Sequence, residues 1–208
     1  MKKIREPFNT YSHVFGAMLS IIGLEVLFFK DLRNSINPLD NLIYGLSLTF
    51  MFVSSSLYHA LDITSKMLPS FRKLDHCSIY ILIAATYTPV IVKAADKEYR
   101  VMLLALMWSI AITGILIKIF FPYPSRWLYT GFYLGMGWVG VLFLPRIHLS
   151  KVSLDYALSG GIVYTIGAFS YMLKWPQSRN FNFHNLWHLM VLLGSFFMYL
   201  MVYSLVPS

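Results

Sequence analysis

The chain has 208 residues, of which 57% are hydrophobic, 17% aromatic and only 12% charged. That balance is far more apolar than the composition of soluble domains and excludes a soluble globular fold. The net charge of +8 is scattered in twos and threes between apolar stretches, a pattern of membrane anchoring rather than a basic face for phosphates, so no nucleic acid is expected as a partner.

A helix needs about 20 mostly apolar residues to cross about 30 Å of hydrocarbon. Seven such stretches follow one another, near 11–29, 41–61, 74–92, 101–121, 127–144, 154–173 and 183–206. The expected fold is all-α, a polytopic membrane protein with residues 1–208 forming a single seven-transmembrane-helix bundle. The opening Met1-Lys2-Lys3-Ile4-Arg5 mimics a signal peptide, but the apolar run behind it carries His13 and Glu25 and lacks a small-residue cleavage site, so it reads as a retained first helix. Glu25 is expected to face the bundle interior or to lie close to the far interface.

The connections are short and hold turn residues: Asn37-Pro38, Pro69-Ser70, Pro122-Tyr123-Pro124, Pro145 and Trp175-Pro176. Short loops make successive helices antiparallel. Pro89 predicts a kink in the third helix. Gly131, Gly135, Gly137 and Gly140 predict close helix contact along the fifth. The single cysteine, Cys77, permits no intrachain disulfide. Ten of the 17 Lys and Arg residues fall on the side of the N-terminus. This bias predicts a plasma (inner) membrane protein with a cytoplasmic N-terminus and the C-terminus outside.

Histidine and carboxylate are costly in lipid, so their placement is a functional signal. His13 begins the first helix, His59 ends the second, Asp75 and His76 begin the third, and His184 and His188 begin the seventh. Alternation brings all four ends to one membrane face; only His148 lies opposite. His184 and His188 stand four residues apart, so their rings project from one side of a helix about 6 Å apart along its axis. That suits two ligands of one metal, with His59 as the third, and zinc is the natural ion for a three-histidine site. Asp75 then flanks the open position as general base for a water whose pKa the metal lowers towards about 7. Ser55, one turn before His59, is placed to orient Asp75 or to support an oxyanion. The bland alternatives stand beside these: a structural histidine pair, and an Asp75 that pairs with Arg72 or Lys73 at a helix start. His13 and His76 each suit a supporting, ligating or interfacial role.

Ser55-Ser56-Leu57-Tyr58-His59, Leu74-Asp75-His76-Cys77-Ser78-Ile79-Tyr80 through Thr86-Tyr87-Thr88-Pro89, and His184-Asn185-Leu186-Trp187-His188 resemble the bacterial hemolysin III branch of the progestin and adipoQ receptor family. So do Glu6 to His13 with Gly16, and Ile166 to Pro176. The resemblance implies a seven-helix bundle with zinc near the cytoplasmic face. It places the zinc ligands on His59, His184 and His188, the aspartate that holds the zinc-bound water on Asp75, and the accompanying serine on Ser55. Some relatives carry a further histidine where this chain has Met198. Members of the wider group hydrolyse amide bonds in sphingolipids, so the leading expectation is a zinc-dependent hydrolase of a lipid amide or ester bond. A second is a non-enzymatic sensor or lytic protein with structural zinc. A third is a proton or solute carrier.

Overall fold

Lipid offers no hydrogen-bond partner to an open backbone, so apolar stretches of this length fold as helices. The computed structural model describes residues 4–121, 125–179 and 181–205. The predicted turn Pro122-Tyr123-Pro124 lies outside these residues, as does the predicted end of the last helix at 206. Among the described residues there are seven α-helices: α1 (Pro7–Arg33), α2 (Leu39–Ala60), α3 (Leu68–Ala94), α4 (Arg100–Phe120), α5 (Arg126–Trp138), α6 (Lys151–Leu173) and α7 (Phe183–Tyr203). Short 3-10 helices cover Lys97–Tyr99 and Val139–Arg146. The chain is thus an all-α, multi-pass membrane bundle.

Six helical segments are long and apolar enough to cross a membrane by themselves. The exception is α2, whose Asp40, Asn41, Ser47, Ser54, Ser55, Ser56 and His59 dilute its hydropathy yet are all buried. It packs against both α1 and α3, so its polar side chains point into protein, where such residues are tolerated. Contacts α1–α2, α2–α3, α3–α5, α5–α6, α6–α7 and α7–α1 close a ring, and α4 lies outside it, mainly against α3.

Helix ends differ from the sequence expectation where helices outrun the hydrocarbon. Both α1 and α3 carry proline in their first turn, where the missing N–H costs nothing, so Pro69 starts a helix instead of marking a loop. The fifth helix is interrupted: after Trp138 it tightens into the 3-10 turn Val139–Arg146, which contains Pro145. The Tyr87 hydroxyl fixes that break by donating to the Gly137 carbonyl and accepting from Gly140 N–H at 3.0 Å. Pro89 sits inside α3 without ending it.

The glycine expectation holds only at Gly140, which packs on Tyr87; Gly131, Gly135 and Gly137 face open space. Close approach occurs elsewhere. A Cβ on Gly16 would stand 2.7 Å from the Phe52 ring, and one on Gly114 would stand 2.5 Å from Tyr80. Glu25 is exposed on the outside of α1, about 27 Å along that helix from its start, which settles its two readings in favour of the far interface.

At the end of the bundle away from the histidines, three charged side chains are buried together. Lys93 Nζ lies 3.4 Å from Asp31 Oδ1 and 3.2 Å from Asp40 Oδ2, and Asn41 Nδ2 donates to Asp31 Oδ2 at 2.7 Å. The group ties α1, α2 and α3. Lys93→Met would leave two carboxylates buried without that ammonium and is expected to cost about 3 to 5 kcal/mol. Thermal unfolding of purified protein measures this. Adding Asp31→Asn and Asp40→Asn to the same chain should recover most of the loss.

Candidate metal centre and cavity

His59 reaches the site from the last turn of α2, and His184 and His188 from the first two turns of α7. Their ligand nitrogens all lie within 4.8 Å of one another. His59 Nε2 and His188 Nε2 are 3.1 Å apart, close to the roughly 3.3 Å edge of a tetrahedron whose ligands stand about 2.05 Å from zinc. The face predicted by counting helices is therefore the face the fold builds.

A polar chain at the helix ends sets these rings. Asn182 caps α7, accepting from His184 and Asn185 N–H, while Asn185 Oδ1 accepts from Asn182 N–H at 2.9 Å, a reciprocal capping box. Asn185 Nδ2 donates to Asn9 Oδ1 at 3.0 Å, and Asn9 Nδ2 donates to Glu6 Oε2 at 2.8 Å. The same Glu6 oxygen is 2.9 Å from His59 Nδ1 and 3.6 Å from His184 Nδ1. Burial opposes the charge on Glu6, but the His59 hydrogen bond, the electrostatic pull of the His59 and His184 rings, and the Asn9 bond together hold its carboxyl down at about 2.

Ionised Glu6 can only accept, so the His59 proton sits on Nδ1 and Nε2 keeps its lone pair for a cation. His188 Nδ1 is buried without a partner among the described residues. Three converging imidazoles, one held in the ligating tautomer, fit a divalent metal of the zinc type. Glu6→Gln is expected to weaken metal binding about 10- to 100-fold, as read by competition against a chromogenic chelator.

Glu6, Asn9 and Asn185 were not assigned roles from the sequence. The usable signal was position: Glu6 directly precedes the first helix, on the membrane face that holds His59.

Asp75 is buried on α3 with the Ser55 hydroxyl as a side-chain partner, and among the described residues it pairs with neither Arg72 nor Lys73. Both it and Ser55 line a cavity of about 240 Å³ that His13, His184 and His188 also line. His13 and His76 stand outside the converging group. His13 lies against His188 with ring centroids 3.9 Å apart and planes tilted by 40°, and His76 faces Tyr129 at 5.4 Å. On the opposite face His148 Nε2 lies 2.8 Å from Asp96 Oδ1.

These features define a multi-pass helical membrane protein with a three-histidine cluster at one end of an internal cavity. The sequence matches the haemolysin-III-related family over residues 1–199, and the chain belongs to that family. It is 34% identical to Hemolysin-3 of Bacillus cereus over 201 residues, covering 95% of this chain and 90% of that protein. A Hemolysin-3 homolog of Bacillus subtilis is 33% identical over 203 residues, covering 95% and 92%. The adiponectin receptor protein of Drosophila melanogaster is 26% identical over 220 residues, covering 93% of this chain and 49% of the receptor, consistent with the wider progestin and adipoQ receptor group.

Proposed function

We propose that the protein is a zinc-dependent hydrolase of a lipid amide or ester bond, with His59, His184 and His188 holding the ion. The observation that carries this reading is the convergence of the three imidazoles, two of which, His184 and His188, line a cavity whose wall also holds Asp75 and Ser55. Bound zinc supplies Lewis acidity, polarising the scissile carbonyl and lowering a water's pKa towards about 7.

The chain's own residues do the rest. Glu6 fixes the His59 tautomer. Asp75 accepts the proton of the attacking water and passes it to the leaving nitrogen or oxygen as the carbonyl–heteroatom bond breaks. Ser55 orients that carboxyl. The apolar wall receives the acyl chain from the bilayer and limits bulk water around the reacting groups. In this reading the histidine face is cytoplasmic, on the ten-to-seven excess of Lys and Arg at that side. The site then lies beneath the inner leaflet of the plasma membrane, and the C-terminus is outside.

Purified protein should carry one zinc per chain and release fatty acid from N-acyl or ester lipids; chelation should stop the release and zinc restore it. Folded, metal-free protein, or zinc-loaded protein inert towards both bond types, overturns the reading. The relatives named hemolysin favour a lytic role as the second reading. Dye release from liposomes by intact protein tests it.

A further inference from the structure

The cavity wall is polar at one end only. Around its middle every polar side chain is satisfied within the protein: Tyr87 by Gly137 and Gly140, Tyr164 by Ser195 at 2.9 Å, Trp138 Nε1 by Thr165 at 3.0 Å, and Thr86 by the Leu82 carbonyl at 2.8 Å. Each of these groups already has a hydrogen-bond partner in the protein, and the wall around them is otherwise carbon. The lining groups with buried, unpartnered nitrogen or oxygen are His13, His76, Thr130 and His188, all near the histidine face. The cavity is thus matched to an amphiphile with its head at the histidines and an uninterrupted hydrocarbon tail running away from them.

At the other end the cavity meets buried side chains, Ile147 and Met201 among them. Ile147, Leu149, Leu154 and Met201 line it there. Ile147 is pinned across the bundle by an antiparallel bridge to Ala95, with His148 N–H donating to Ala94 at 2.8 Å and Asp96 N–H donating to Arg146 at 3.0 Å. A strap held by backbone bonds on both sides of Ile147 does not yield to a longer ligand.

We propose that this floor makes the cavity an acyl-length ruler, accepting one straight chain of about 16 carbons and rejecting longer ones. The depth of the cavity sets the number. His188 to Met201 spans 13 residues of α7 by their numbering, about 20 Å of helix. An extended hydrocarbon advances about 1.25 Å per carbon, the projection of a C–C bond of roughly 1.5 Å, so about 16 carbons fill that depth. The proposal deepens the lipid reading above and rests on it for the position of the head.

Protein in nanodiscs is incubated with an equimolar mixture of straight-chain saturated fatty acids of about 10 to 22 carbons, and retained acids are compared with those in empty discs. Retention should fall about tenfold between about 16 and 20 carbons, since each overpacked site costs 1–3 kcal/mol. Ala157→Phe puts a ring one helical turn above Leu154, about 4.5 Å nearer the histidines, and should shorten the cut-off by about four carbons. Met201→Ala should lengthen it by about two or more. Unchanged melting and metal content in these variants exclude misfolding. Retention without a cut-off, or a cut-off that ignores both substitutions, overturns the ruler and leaves hydrolysis standing. Retention of no acid at any length overturns the acyl site as well, whereas failed hydrolysis with an intact cut-off overturns only the enzyme.

Discussion

His188→Ala is expected to lower metal content from one ion per chain to near zero in protein that still folds. Structural zinc binding in small protein sites amounts to about 10–16 kcal/mol over four ligands, so one imidazole accounts for roughly 100- to 1000-fold in affinity. His188 should fall at the upper end. Its ring is 1% exposed. His13, tilted against it, lies outside the converging nitrogens. The controls separate ligation from packing. His13→Ala opens a comparable gap against the same ring and should leave the metal in place, while His148→Ala on the far face should change nothing at the site. Elemental analysis after dialysis, alongside thermal melting, reads all three. A His188→Ala protein that keeps stoichiometric metal would remove that residue from the ligand set.

The parts legible in the sequence were those whose physics is local or periodic. Apolar runs locate spans because every lipid-facing residue must be apolar over the whole thickness of the bilayer. His184 and His188 were legible because four residues on a helix define one face. His59 could be added because alternation of antiparallel spans fixes which helix ends share a leaflet. Glu6 was not legible as a partner of His59, because its role depends on α1 and α2 folding back so that Glu6 N–H reaches the His59 carbonyl at 3.2 Å. The break in α5 was hidden for the same reason: the hydroxyl that stabilises it belongs to Tyr87, in another helix. The glycines of α5 misled because small residues permit close approach without requiring it, and whether a helix arrives is decided by the whole bundle. Pro69 misled because proline signals both a loop and a helix start, and only the following turn distinguishes them.

Asp75→Asn should separate the metal site from the chemistry. The substitution keeps side-chain size and removes the charge and the proton-accepting oxygen, so zinc content, melting temperature and acyl retention should stay near wild type. Turnover should fall about 100- to 10,000-fold, the contribution of a positioned general base. The geometry supports assigning the loss to Asp75 rather than to another carboxylate. Glu6 is committed to His59 and Asn9, and Asp31 and Asp40 belong to the Lys93 cluster at the far end. Among these groups it is Asp75 that shares a cavity wall with His184 and His188. Ser55→Ala, which removes a partner of the base and leaves the base itself, should lower kcat by a smaller factor, and the combined variant should cost little more than Asp75→Asn alone, because Ser55 acts through the carboxylate it orients. Single-turnover release of fatty acid from a lipid amide, measured across the four chains with metal content matched, tests this. Wild-type rates in zinc-loaded Asp75→Asn would eliminate Asp75 as the base, and a full additive loss in the double variant would give Ser55 a separate role at the reacting carbonyl.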